Sequence, residues 1–323
     1  MTANALSIHE LIQTIVDSDF AVPEGIDPEG LIPDLTGLLG SPDQITRERA
    51  LDVLGTWGAR GRFGDETLRT LGDRMAEDLG HGLGEEGTDT VFLRSYAALV
   101  LCTPIGVDQM FTAGLVEGRG PFLDPERVGG WLTRALETLQ GERDLRSFID
   151  GKGWADAIPH RGDVLHQFAR SPHTDADGQE RILRAIADRL TSTTDKVFVH
   201  DDGGRLMRAA YCVLLRGELP LETLTAWIDG FGRTPDGRGW FWGDLFSLEF
   251  CDHAMVNARA NVRGALHDLY FYLKHGLRRW HSEEDAKNAY YAFYDQPVRY
   301  RDELLDAVDR VLRKLHAGNY SQT

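Results

Sequence analysis

The dominant pattern along the chain is a hydrophobic period of three to four residues. In 43–58, Ile45, Ala50, Leu51, Val53 and Leu54 fall on or near one helix face. Ser41-Pro42-Asp43-Gln44 reads as the start of that helix, with Ser41 as N-cap, Pro42 at the first helical position and Gln44 closing a capping box. Ser7-Ile8-His9-Glu10 reads as another capping box, opening an earlier helix. A helix near 66–79 carries Leu68, Leu71 and Met75, with Gly80 placed to end it. The stretch 89–102 is apolar along most of its length and predicts a central helix. Asp124-Pro125 caps a helix running to about 140, with Val128, Trp131, Leu132, Ala135, Leu136 and Leu139 inward. Further helices are expected near 157–170, 178–191, 203–216, 220–230, 253–278, 283–293 and 299–316. Strand alternation appears only weakly, at Lys196–His200.

Helices arriving in pairs with short Gly-, Asp- or Pro-rich connectors predict an all-α chain. The expected architecture is one domain over 1–323, built from helical hairpins stacked as a HEAT-like, solenoid-type array. Each hairpin in such an array buries its apolar face against its neighbours, and a concave surface is left for a partner. Segment 231–252 departs from the pattern. It combines four glycines with Phe231, Trp240, Phe241, Trp242, Phe246 and Phe250. That is too apolar for a free loop, so it reads as an aromatic plug or as the wall of a ligand pocket. Trp240 and Trp242 are binding candidates on the second reading.

Charge narrows the choice of partners. Of a net −16, residues 1–150 hold 12 Lys and Arg against 26 Asp and Glu, about −14, leaving about −2 for 151–323. An acidic half disfavours nucleic acid and anionic membrane, both polyanions. No apolar run approaches the roughly 18 residues of a membrane span, and the N-terminus lacks the pattern of a signal peptide. Cys102, Cys212 and Cys251 are odd in number and far apart, as expected of reduced thiols in a cytoplasmic protein. Arg outnumbers Lys by 30 to 5, the bias of a GC-rich bacterial coding sequence. Gly82-Leu83-Gly84-Glu85-Glu86-Gly87 matches G-x-G-x-x-G, but it follows a helix and sets two Glu where phosphates would lie. Nothing in the chain specifies a cofactor.

The densest chemistry lies in Asp144–Ala169, DLRSFIDGKGWADAIPHRGDVLHQFA. As a helix, 154–169 brings Asp156, His160, Asp163 and Gln167 within about 60° of one another, opposite an apolar face. Asp-His-Asp at i, i+4, i+7 is suited to a divalent metal, or to a His whose pKa two carboxylates raise. Pro159 supports a plainer reading. Proline is tolerated only in the first turn, which makes Asp156 the N-cap and leaves His160 with Asp163. Gly151 and Gly153 flank Lys152 and precede Trp154. Their freedom either exposes Lys152 or permits a tight turn held by an Arg-Asp clamp at Asp144 and Arg146.

These residues carry a resemblance. The stretch ERDLRSFIDGKGWADAIPHRGDVLHQFA looks like the signature of a bacterial family of uncharacterised proteins, the domain-of-unknown-function 2785 family. An acidic residue before Arg-x-Phe, then Gly-Trp, then His and Asp on the next helix match Asp144 (or Glu142), Arg146, Phe148, Gly153, Trp154, His160 and Asp163. The family often has His where this chain has Asp156, which weakens a His-based metal site here. The resemblance implies that the segment matters, and it implies no activity.

The late helix is a second candidate. Met255, Ala258, Val262, Leu266, Leu269, Leu273 and Leu277 form its apolar stripe, while Asn257, Asn261 and Asp268 form a polar face around Gly264. Arg263 and His267 lie on a flank. Short amides beside a glycine suggest close approach of a ligand or bridges to neighbouring connectors. Cys251-Asp252-His253 reads as an N-cap at Asp252, not as a metal motif. Lys274, His275, Arg278, Arg279 and His281 suit a helix C-terminus. Two functions follow: a binding protein for a protein partner or small ligand, or a hydrolase-like enzyme using His160 with Asp163 and Asp156, with or without a metal. Nucleic-acid binding by the Arg-bearing C-terminal half is a third, weaker reading.

Overall fold

A computed structural model describes residues 6–233, 252–277 and 289–316 of the chain. Among these residues the hydrophobic period becomes helix: α1 (Ile8–Asp17), α2 (Ile32–Leu38), α3 (Gln44–Ala59), α4 (Asp65–Asp78), α5 (Thr90–Thr112), α6 (Pro125–Gly141), α7 (Ala157–Arg170), α8 (Ala176–Thr191), α9 (Asp202–Arg216), α10 (Leu221–Gly230), α11 (His253–His275), α12 (Ala289–Ala292) and α13 (Arg301–Leu315); most of the helix expected near 283–293 lies outside the described residues. The strands among the described residues are β1 (Phe148–Ile149) and β2 (Gly153–Trp154), an antiparallel pair with Phe148 opposite Trp154. The chain divides into two compact units, Met1–Val164 and Leu165–Thr323, with the boundary inside α7.

In the first unit α5 is the hub. Val91, Phe92, Tyr96, Ala97, Val100 and Leu101 are fully buried on it, and α3 and α4 pack against it. The helix outruns its expected end because Ile105, Val107 and Phe111 stay buried beyond Pro104. It is therefore longer and more apolar than the sequence reading allowed. An 18-residue window has mean hydropathy 1.5, enough in length and composition to cross a membrane, but 72% of that window is buried inside the protein. The apolar surface is already used by α3 and α4. Trp131 of α6 lies over Gly72 of α4, where a Cβ would run into the indole, and its Nε1 donates to Asp73 at 2.8 Å.

Capping follows the sequence with one correction. Ser7 and Glu10 form the expected box, and Asp124 accepts from the Arg127 amide. At α3 the N-cap is Asp43, not Ser41: its carboxylate accepts from the Thr46 amide at 2.8 Å, and Ser41 Oγ accepts from the Asp43 amide one step earlier. A carboxylate at the positive end of a helix is the stronger cap in this context.

In the second unit α9 packs closely on α11, with Gly203 of α9 against Ala265 of α11. Ala258, Val262, Leu266, Leu269 and Leu273 form the buried stripe of α11. The close approach falls at Ala265. Nothing lies within 4 Å of a Cβ built on Gly264. Asp252 caps α11 by accepting from the Ala254 amide at 2.9 Å. Residues 196–200 form no strand: this connector hydrogen-bonds to side chains of α11 and α9.

Candidate functional site

Asp144–His160 is bound into the first unit through Asp144, Arg146, Lys152, Trp154 and His160. Glu142, just before it, is the deepest element. Its side chain and those of Arg94 and Arg161 are all 0% exposed, and it accepts from Arg94 Nε at 2.8 Å and Nη2 at 3.0 Å and pairs with Arg161 Nη2 at 3.1 Å. The Arg143 and Asp144 amides also donate to it. The two guanidiniums spend further donors on backbone: Arg94 on the Glu85 carbonyl, Arg161 on those of Ala157 and Leu79.

Asp144 and Arg146 form the expected clamp. The buried Asp144 carboxylate takes Arg146 Nη2 at 2.6 Å and Nε at 2.8 Å, and also the Gly87 amide at 3.0 Å. Burial pushes the Asp144 carboxyl up, but the bonds from Arg146 and Gly87 outweigh it and the net shift is down. The same bonds raise Arg146. The G-x-G-x-x-G stretch therefore does receive an anion, and that anion is the protein's own Asp144. Arg146 Nη2 reaches on to the Thr88 carbonyl at 2.7 Å.

The Gly-Lys-Gly-Trp stretch runs from the tip of the β1–β2 hairpin, at Gly151 and Lys152, into β2. Gly151 and Gly153 have φ of +75° and +79°, and a Cβ on Gly153 would collide with the Gln44 side chain at the start of α3. Arg47 of α3 is fully buried and stacks over Phe92, 3.8 Å from the ring centroid. It donates to the Lys152 carbonyl at 2.7 Å and the Trp154 carbonyl at 3.2 Å. Lys152 Nζ turns to Asp89 at 2.7 Å, and Trp154 meets Phe148 edge to face at 5.1 Å. Sequence reasoning overlooked Arg47, because an Arg in a helical pattern reads as surface.

The helix α7 begins at Ala157, which puts Asp156 at the N-cap position and Pro159 at the third helical residue, as Pro159 required. Asp156 is buried with φ of +46°, a conformation Asp tolerates better than most residues, and its carbonyl accepts from the His160 amide at 3.0 Å. His160 is 5% exposed, lies edge to face on Tyr96, and its Nδ1 is 2.7 Å from Ser95 Oγ. Ser95 Oγ also donates to the Ala155 carbonyl. The hydroxyl has one proton and the carbonyl can only accept, so with that proton turned to Ala155 the Nδ1–H tautomer of His160 is assigned as the donor toward Ser95. Burial, then the hydrogen bond to Glu48, raises the neighbouring Tyr96 phenol. Asp163 is half-buried one turn along α7. Among the described residues no group of three or more His, Cys, Asp or Glu is placed to hold a metal ion, so Asp156, His160 and Asp163 do not converge as ligands.

The candidates of the second unit do a different job. Asn261 accepts from the Phe198 amide at 2.7 Å and donates to the Lys196 carbonyl at 3.1 Å, and Asn257 donates to the Thr194 carbonyl at 3.2 Å. Both amides hold the 194–198 connector in place of a neighbouring strand. Arg263 is exposed, and it depresses His267 and His316, after burial. Trp240 and Trp242 lie outside the described residues. A groove of about 500 Å³ between α8 and α10, lined by Leu183, Ala187, Ala226 and Trp227 with Glu180, Arg184 and Glu222, includes none of the expected site residues.

Among curated proteins and among solved structures, nothing matches the chain. The family model described as "Protein of unknown function (DUF2785)" matches residues 79–271, from just after α4 to near the end of α11, and so spans the whole hairpin, Arg94, Glu142 and His160. With more than half of its length matched, the chain belongs to the DUF2785 family.

Proposed function

We propose that the chain is a helical binding protein, and that its signature segment is a structural clasp, not a reaction centre. One observation carries the reading: the buried Ser95 Oγ reaches the Ala155 carbonyl as well as His160 Nδ1. A general base must accept the hydroxyl proton of its nucleophile. Here the Ala155 carbonyl, which can only accept, competes for that proton, as it does for a structural serine. Around that pair, Asp144, Arg146 and Lys152 each have a partner within the first unit.

The binding reading keeps the expected architecture of stacked hairpins with a concave face for a protein or small ligand. In its support, chain neighbours pack pairwise as α2 with α3, α4 with α5 and α8 with α9. A reducing, cytoplasmic setting belongs to the same reading. A hydrolase using His160 with Asp163 and Asp156 is the second reading, favoured by the 2.7 Å approach of Ser95 Oγ to His160. A fluorophosphonate probe separates the two. A binding protein leaves Ser95 unlabelled in the folded state. Labelling at Ser95 that disappears in His160→Ala would establish the enzyme.

A further inference from the structure

Arg170, the last residue of α7, is 6% exposed, yet the described residues offer its charge no counter-ion. Its Nη2 donates to the Tyr290 carbonyl at 2.8 Å. Its Nε and Nη1 have no hydrogen-bond partner among the described residues. Three rings surround the guanidinium, with centroids 4.4 Å (Tyr290), 5.1 Å (Phe293) and 4.9 Å (Tyr294) from Cζ. One turn back on α7, His166 Nε2 lies 2.7 Å from the Tyr294 hydroxyl and the two rings stack, which fixes one wall. Phe293 and His166 are the partly exposed members of the cage.

Arginine stays charged at any ordinary pH, and a buried charge demands compensation. Aromatic faces supply part of it. They do nothing for Nε–H and Nη1–H, which point in the guanidinium plane and call for oxygen acceptors in that plane. We propose that this cage is a binding site for a small organic monocarboxylate, held by the in-plane donors of Arg170 with its apolar part against the rings. One guanidinium balances one negative charge, so a monoanion leaves the cage neutral whereas a phosphate dianion leaves it negative. The proposal deepens the binding reading above and rests on it.

The test uses the full chain with sodium benzoate and sodium acetate, against sodium chloride of equal ionic strength and inorganic phosphate. Calorimetry on the wild type should show saturable benzoate binding. Arg170→Lys keeps the charge and loses the planar donors, and should raise the Kd about tenfold or more. In the wild type alone, the Nε–H resonance of Arg170 should move saturably with benzoate, a readout that survives if the variant fails to fold. Carboxylates no better than chloride, an unmoved Arg170 resonance, or an unchanged Kd in a folded Arg170→Lys would overturn the site. Phosphate binding as tightly as benzoate would overturn the monoanion assignment. Failure here leaves Ser95 unlabelled, whereas failure of the binding reading appears as Ser95 labelling.

Discussion

Glu142→Ala is the most informative single perturbation. The carboxylate neutralises two guanidiniums, and all three side chains are 0% exposed. Removing one member of a buried ion pair costs about 3–5 kcal/mol, because a charge remains buried without compensation. Here two charges remain, and the Arg143 and Asp144 amides, at 3.0 and 2.9 Å, lose their acceptor as well. The expected loss is therefore at the upper end, about 5 kcal/mol, a third or more of the stability of an ordinary domain. For a unit of this size that lowers Tm by about 10–20 °C. Urea unfolding followed by far-UV circular dichroism on the full chain reads the difference. Glu142→Gln, which keeps shape and one acceptor, should fall between the two. Replacing Arg94, Glu142 and Arg161 together by apolar residues of similar volume should cost less than Glu142→Ala alone. A loss below about 1 kcal/mol for Glu142→Ala would refute the reasoning, since that is the scale of an exposed pair.

Three other outcomes are expected. Gly153→Ala combines φ of +79° with a collision on Gln44, so it should destabilise by about 1–3 kcal/mol, and Gln44→Ala in the same chain should recover the collision but not the backbone strain. The Asp144 carboxyl sits below its ordinary 3.8 in the folded state. Its contribution is therefore present above that value and lost as the pH falls through the folded-state one, so Asp144→Asn should be less stable at neutral pH and show a shallower acid loss in urea titrations. Asn261→Asp keeps the acceptor for Phe198 and sets a carboxylate oxygen against the Lys196 carbonyl, so amide exchange at 194–198 should accelerate while that in α9 stays unchanged.

The sequence made the helices legible because period and caps agree. Ile8–Asp17, Gln44–Ala59 and Pro125–Gly141 each pair an apolar face with a capping side chain. The end of α5 was missed because the apolar run was read only to Cys102, whereas Ile105, Val107 and Phe111 stay buried beyond it and keep the helix going. The 196–200 alternation suggested a strand, but its backbone bonds are met by the side chains of Asn261, Thr194 and Asp202, and side chains that replace a sheet partner leave no period to read. Within the signature segment, the Asp144–Arg146 clamp and the N-cap position of Asp156 were visible locally. The long-range fasteners were not. Arg47 lies 105 residues from Lys152, and Arg94 lies 48 from Glu142, distances over which charge and spacing carry no pairing information.

The central claim is that the β1–β2 hairpin and the start of α7 are part of the core of the first unit. Native-state hydrogen exchange of the Ala155 amide, which donates to the Ser147 carbonyl at 2.6 Å, tests it most directly. A clasp held by Arg47, Glu142 and Asp144 opens only with the unit, so Ala155 should exchange with the same opening free energy and urea dependence as the buried amides of α5 at Tyr96–Val100. Exchange of Ala155 through a low-energy, urea-independent local opening while α5 stays protected would mark a mobile active-site loop and contradict the account.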